Sequence, residues 1–218
     1  MIHESYYWKK ELYKSFETVA KFRQLKKPSE LSFVKIEKAL MIGAYIIRKL
    51  DEAQKLPPDF LKRKASLMYF KSQDKIVDHM NWHKIEKHYK VDQLTLIEKD
   101  WRFIINQIIH SFSLIYSFDD FEKLDGFYIN SDKTKKQAIF LLPLMEVLTM
   151  FLTISEGDIV KCSSSREILG KDQNGKTMYG EMKLKEALYS YPIRLDINET
   201  IEATLKGNIY LRNEKEWA

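Results

Sequence analysis

The chain has one cysteine, Cys162, in 218 residues, so no intrachain disulfide can form. That usage fits a reducing compartment, and the cytoplasm is the expected location. Seven glycines and five prolines are too few for long linkers or low-complexity tracts. No glycine-rich phosphate loop, no serine or cysteine nucleophile motif and no cysteine-pair metal site is present. No cofactor is therefore expected. The N-terminal stretch "MIHESYYWKKELYKSF" lacks the basic start and apolar block of a secretory signal. The most apolar run, "AIFLLPLMEVLTMFLTI" at 138–154, is interrupted by Pro143 and Glu146. It falls short of the roughly 20 apolar residues a bilayer span needs, so it reads as a buried helix and no membrane partner is expected.

Hydrophobic residues make up 44% and charged residues 31%, the composition of an ordinary globular domain. The net charge of +5 is uneven. Residues 1–100 hold 21 Lys/Arg against 14 Asp/Glu, and the remainder holds 15 against 17. The basic half contains Lys9-Lys10, Lys26-Lys27 and the triplet Lys62-Arg63-Lys64. Such an excess suits a phosphate-rich partner, or simply keeps lysine-rich helices in solution.

Apolar spacing predicts helices over 5–25 and 31–54. The second carries a stripe of Phe33, Ile36, Leu40, Gly43 or Ala44, Ile47 and Leu50, with Ser29 or Ser32 as its cap and "LPPDF" as its stop. Gly43 and Ala44 sit mid-stripe, where small side chains permit a close helix crossing. A short helix is expected over 59–71, helical turns over 72–92, a long helix from Gln93 to about Tyr116, and a helix over 131–154 bent near Pro143. "FYIN" reads as one short strand. After Gly157 the pattern turns to strands, with a hairpin at Asn174-Gly175 and strand-like alternation in "YPIRLDI" and "GNIYLRN". The expected fold is mainly α, a helical bundle over 1–155 with a small β-rich C-terminal extension over 156–218 packed on it, α+β overall.

The chemical candidate lies in "WRFIINQIIHSFSLIYSF", residues 101–118. At about 100° per residue, Trp101, Ile104, Ile105, Ile108, Phe112 and Ile115 share one face. Arg102, Asn106 and His110, four residues apart, form a polar ladder on the opposite side. Histidine exchanges protons near neutrality, an amide orients a phosphate or hydroxyl, and an arginine stabilises developing phosphate charge. Together they suit metal-free cleavage of RNA. Solvated or structurally bonded residues on the wet face of a helix are the plainer reading.

The segment "NQIIHS", 106–111, resembles the polar-x3-His half of the motif in HEPN-domain proteins. That resemblance implies a helical, commonly dimeric fold, and metal-independent RNA cleavage of the kind used in defence or toxin–antitoxin pairs. Asn106 matches the polar position and His110 the histidine. Ile105 stands where active members carry arginine, leaving Arg102 one turn earlier, or Arg48 from the facing helix, to serve instead.

A second cluster, "DHMNWHKIEKHY", sets His79 and His83 four apart, with His88 nearby. Two histidines at that spacing can share a metal, but no His-Glu-x-x-His pattern or fourth ligand is evident, so no metal is assigned. Trp82, with Arg48, Lys62, Arg63 and Lys64, forms the candidate nucleic-acid surface. Cys162 reads as a small buried side chain. Two functions follow as expectations. One is a HEPN-like RNA-binding or RNA-cutting protein acting through His110, Asn106 and Arg102, as a homodimer. The other is a non-catalytic module for protein–protein interaction or regulation.

Overall fold

The computed structural model describes residues 2–193 and 195–208. Among these, the chain begins with two antiparallel helices, α1 (Ser5–Phe22) and α2 (Glu30–Glu52). Ser29 caps α2 reciprocally with Ser32, each side chain taking a backbone N–H of the other. A five-stranded antiparallel sheet follows: β1 (Lys64–Lys71), β2 (Thr95–Asp100), β3 (Ser111–Phe118), β4 (Leu124–Ser131) and β5 (Ala138–Pro143), in spatial order β2-β1-β5-β4-β3. Between the strands lie the short α3 (Ile85–His88) and α4 (Trp101–Ile109). After the sheet come α5 (Leu144–Glu156), the two-stranded ribbon β6 (Asp158–Lys171) and β7 (Thr177–Ser190), and α6 (Ile197–Leu205).

The core has two compartments. The helices and one face of the sheet bury the larger one, which includes Phe16, Leu40, Ile47, Leu67, Phe127, Ile129 and Phe151. The other sheet face carries Phe70, Ile139 and Leu141, and the segment around Val77, Trp82, Ile85 and Tyr89 covers it. The sheet is thus sandwiched, and its middle strand is buried on both sides.

The expected helical bundle is not what forms. Three stretches account for it. The run at 138–154 is not one helix. Ala138–Pro143 is the central strand β5, and a strand covered on both faces loses its alternation and reads as unbroken hydrophobicity. Pro143 does not bend a helix; it stands at the N-cap of α5, where its missing N–H costs nothing. The stretch 93–116 is β2, α4 and β3 in succession. Asp100 accepts a hydrogen bond from the Phe103 N–H at 2.8 Å, so the helix starts there. Beyond His110, "SFSLIYSF" is rich in aromatic and β-branched residues and pairs with β4 along its length. The 59–71 helix is likewise a turn of 3-10 helix, Phe60–Lys62, followed by β1.

The C-terminal reading holds in part. The hairpin turns at Asn174-Gly175, where Gly175 has a φ of 78°. "YPIRLDI" is a turn running into α6, apart from Arg194, which lies outside the described residues. Most of "GNIYLRN", from residue 209 on, lies outside them too. No helix among the described residues is long and apolar enough to cross a membrane.

Candidate functional site

The ladder of α4 is only half assembled as the spacing predicts. His110 is the C-cap residue of α4 and exposed; Asn106 is exposed one turn before it. The arginine that reaches the histidine is Arg48 of α2, its Nη1 3.5 Å from His110 Nε2. Arg102 turns instead to Asp51, at 2.9 Å. Arg48 is itself committed to Glu52, Nε to Oε1 at 2.9 Å, and Lys49 holds the other oxygen at 2.6 Å. These two hydrogen bonds, Lys49 first, hold the Glu52 carboxyl below the usual carboxylate range. The result is a solvated strip of cations and carboxylates, not a groove around His110.

The residue on α4 that the structure depends on is Gln107, which the pattern did not single out. It is buried, and its Oε1 accepts from the Ser131 N–H at 2.9 Å and the Thr134 hydroxyl at 2.8 Å. The neighbouring Asn130 donates through Nδ2 to the Tyr89 hydroxyl at 2.8 Å and accepts from the Ser113 N–H at 3.2 Å. Tyr89 in turn donates to the Lys135 carbonyl at 2.8 Å. Burial pushes the Tyr89 hydroxyl up to about 12, and the bond from Asn130 acts against that rise. This chain of polar contacts fastens the 131–137 turn, the covering segment and the sheet together.

The basic triplet is dispersed. Lys62 pairs with Asp59 on the surface, and the Arg63 guanidinium lies 4.0 Å above the Phe60 ring and 5.6 Å from that of Trp101. Lys64 begins β1 and is exposed. Trp82 belongs instead to the cover over the far sheet face, half-buried against Ile85 and its neighbours. The His79 ring lies tilted against Phe112 with centroids 5.0 Å apart, His83 meets the edge of Trp82, and His88 is buried, so the three histidines do not converge. No metal-holding group of His, Cys, Asp or Glu is found among the described residues. The expectations of RNA binding and RNA cleavage find no support in this arrangement. The fold is mixed and not a helical bundle, the basic triplet is dispersed and Arg102 is held by Asp51; of the two arginines offered for His110 it is Arg48 that reaches it, and Arg48 is paired with Glu52.

Two other surfaces stand out. The first is the ribbon β6–β7. Its root is fixed: Lys9, buried in α1, donates to Asp158 Oδ1 at 2.7 Å and to the Gly157 carbonyl at 2.8 Å. Tyr189 packs on Phe60 with ring centroids 4.8 Å apart and donates to the Ile154 carbonyl at 3.0 Å. Gly157 is required there, because a Cβ would run into the Tyr189 ring. Midway along, the Gln54 side chain completes the edge of the ribbon: Oε1 accepts from the Leu184 N–H at 2.6 Å and Nε2 donates to the Met182 carbonyl at 3.3 Å. From this clasp outward the Met182 side chain and Ile168, Leu169 and Tyr179 are exposed. Cys162, expected inside, is exposed on β6.

The second surface is the outer side of α2. Leu31, Val34, Ile42 and Tyr45 are exposed along it, and Tyr7 and Trp8 of α1 and Ile109 of α4 border its C-terminal half. There they line an open apolar depression of 560 Å³, in which Glu11 is the acidic member.

No protein-family model, curated protein or solved structure matches the chain.

Proposed function

We propose that the chain is a protein–protein interaction module and that the β6–β7 ribbon is its recognition arm. One observation carries the reading: the distal half of the ribbon holds Ile168, Leu169, Tyr179 and Met182 in solvent, at 69%, 64%, 57% and 48% exposure. A lone two-stranded ribbon is marginally stable in water, and apolar side chains clustered on it cost free energy unless something covers them. Here the root and the middle are clamped to the body by Lys9, Tyr189 and Gln54, so the bare end is presented in a defined position. Clamping lowers the ordering cost of binding, as a preformed arm requires. The paired face that the body covers at Tyr189 continues outward to Met182, Ile168 and Tyr179. A protein offering an apolar strip beside an open strand edge complements both that face and the free edges of the ribbon.

The test compares affinity capture by the native chain and by an Ile168→Asp/Tyr179→Asp variant. Each protein lost with the variant is then purified and titrated against both forms. Saturable binding that the variant weakens by about tenfold or more supports the reading. A captured set identical for the two forms, with both folded, sinks it.

A further inference from the structure

We infer that two copies of the chain pair through the outer face of α2, antiparallel, about a two-fold axis beside Tyr45. The face has the spacing of a helix-pairing seam. Leu31, Val34, Lys38, Met41, Tyr45, Arg48 and Glu52 follow one another at alternate steps of three and four, over about 32 Å of helix. The opposite side of the same helix, with Ile36, Leu40, Gly43, Ile47 and Leu50, is wholly buried in the core. So α2 carries two apolar stripes and its own fold consumes one. The other leaves Leu31, Val34, Ile42 and Tyr45 in solvent, and Tyr7 and Trp8 widen it. Its C-terminal half lies in the open depression bordered by Tyr7, Trp8 and Ile109, which admits a broad partner.

The order of charges selects a second copy as that partner. Lys38 stands seven residues before Tyr45, and Glu52 seven after it. A two-fold axis at Tyr45 sets Lys38 of each copy level with Glu52 of the other, and does so twice. It lays Tyr45 against its own counterpart. It also brings Met41 and Ile42 level with the alkyl stems of Lys49 and Arg48. Parallel pairing would set lysine against lysine and glutamate against glutamate, which is repulsive. A self-complementary patch of this kind closes as an isologous dimer. Glu52 is already held on that face by Arg48 and Lys49 and is oriented before the partner arrives. This inference does not rest on the ribbon reading. It adds that the two arms, each clasped by Gln54 just past the end of α2, lie at opposite ends of the pair.

Sedimentation velocity on the full chain from 1 to 100 µM, about the range in which modest interfaces assemble, tests it. The expected result is a dimer that Tyr45→Asp weakens by about thirtyfold or more, since the change sets two buried charges together. Lys38→Glu weakens it by about tenfold, and Lys38→Glu with Glu52→Lys restores it to within about threefold. Circular dichroism confirms that each variant is folded. If Tyr45→Asp unfolds the chain, cysteine pairs decide instead. In a Cys162→Ser background, Tyr45→Cys forms a disulfide-linked dimer under mild oxidation. Leu31→Cys, whose symmetry mate lies about 42 Å away along the paired helices, does not. A chain monomeric throughout the range overturns the inference. So does a dimer indifferent to Tyr45→Asp, or one in which the charge swap fails to restore what Lys38→Glu removed.

Discussion

The ammonium of Lys9 lies 2.7 Å from Asp158 and within hydrogen-bond distance of the Gly157 carbonyl, joining the first helix to the root of the ribbon across 149 residues of chain. The lysine end is buried while the carboxylate keeps contact with water. Removing the cation therefore leaves a carboxylate that can be partly resolvated, and the loss is smaller than for a fully enclosed pair. Lys9→Met is expected to cost about 2 kcal/mol, against the 3–5 kcal/mol typical when one partner of a fully buried pair is removed. Urea denaturation reads the loss. Hydrogen exchange at the root of β6 and β7 accelerates in the same variant. If the melting curve moves and the root amides do not, Lys9 serves the core and not the ribbon.

Gly43 faces Phe151 so closely that a Cβ would enter the ring. The spacing of α2 marks Gly43 and Ala44 as a place for a close approach; at Gly43 it is the Phe151 side chain, reaching in from α5, that fills the space, while the helices packed on α2 are α1 and α4. On an exposed helix, Gly→Ala gains close to 1 kcal/mol. Here the sign reverses: Gly43→Ala is expected to destabilise by about 1–3 kcal/mol through overpacking. A Phe151→Leu change in the Gly43→Ala background makes room for the methyl. The double variant should therefore fall short of the sum of the single losses by roughly 0.5 kcal/mol or more. Strict additivity of the two changes contradicts a steric cause.

On α4 the structural load and the conspicuous chemistry are on different residues. His110→Ala is expected to leave stability within about 0.5 kcal/mol, because the ring is exposed and, among the described residues, its side-chain hydrogen-bond partner is Arg48 at 3.5 Å. Gln107→Leu is expected to cost about 1–3 kcal/mol, since it leaves the Ser131 N–H and the Thr134 hydroxyl without this acceptor. Thermal melts of the two variants side by side decide it. Equal losses would mean that His110 is held more firmly than its contact indicates.

What the sequence makes legible follows from how local each signal is. Ser29 as a cap, the α2 stripe and the Asn174-Gly175 hairpin are settled by neighbours in the chain, and all three are found. The sheet is not legible in the same way, because its middle strand β5 is defined by what lies on both sides of it. "AIFLLP" is as apolar as a buried helix, and only pairing with β1 and β4 makes it a strand. The same limit applies to the ladder. Asn106 and His110 do fall on the exposed side of α4, as helical spacing requires. Which arginine meets the histidine is decided by how α2 crosses α4, and periodicity within one helix contains nothing about that. Gln107 passes unnoticed because its partners, Ser131 and Thr134, lie in a turn some 25 residues away.

The buried tyrosines give the fold an alkaline limit. Burial pushes both Tyr89 and Tyr116 up to about 12, and each hydroxyl donates to a backbone carbonyl, Lys135 for the first and Phe33 for the second. In the unfolded chain both ionise near 10. Between those values the unfolded chain releases protons that the folded chain retains, so stability falls as pH rises. The contribution is complete below pH 10 and is lost progressively toward pH 12, at up to about 1.4 kcal/mol per pH unit for each tyrosine. Urea unfolding at pH 9 and pH 11 measures the drop. Tyr89→Phe lowers stability at both values, because Asn130 and the Lys135 carbonyl lose a partner, yet it should flatten the drop between them. Tyr116→Phe should flatten it by a similar amount, and the double variant further. A drop of unchanged size in the double variant would assign the alkaline loss to other groups, such as deprotonating lysines in the surface ion pairs.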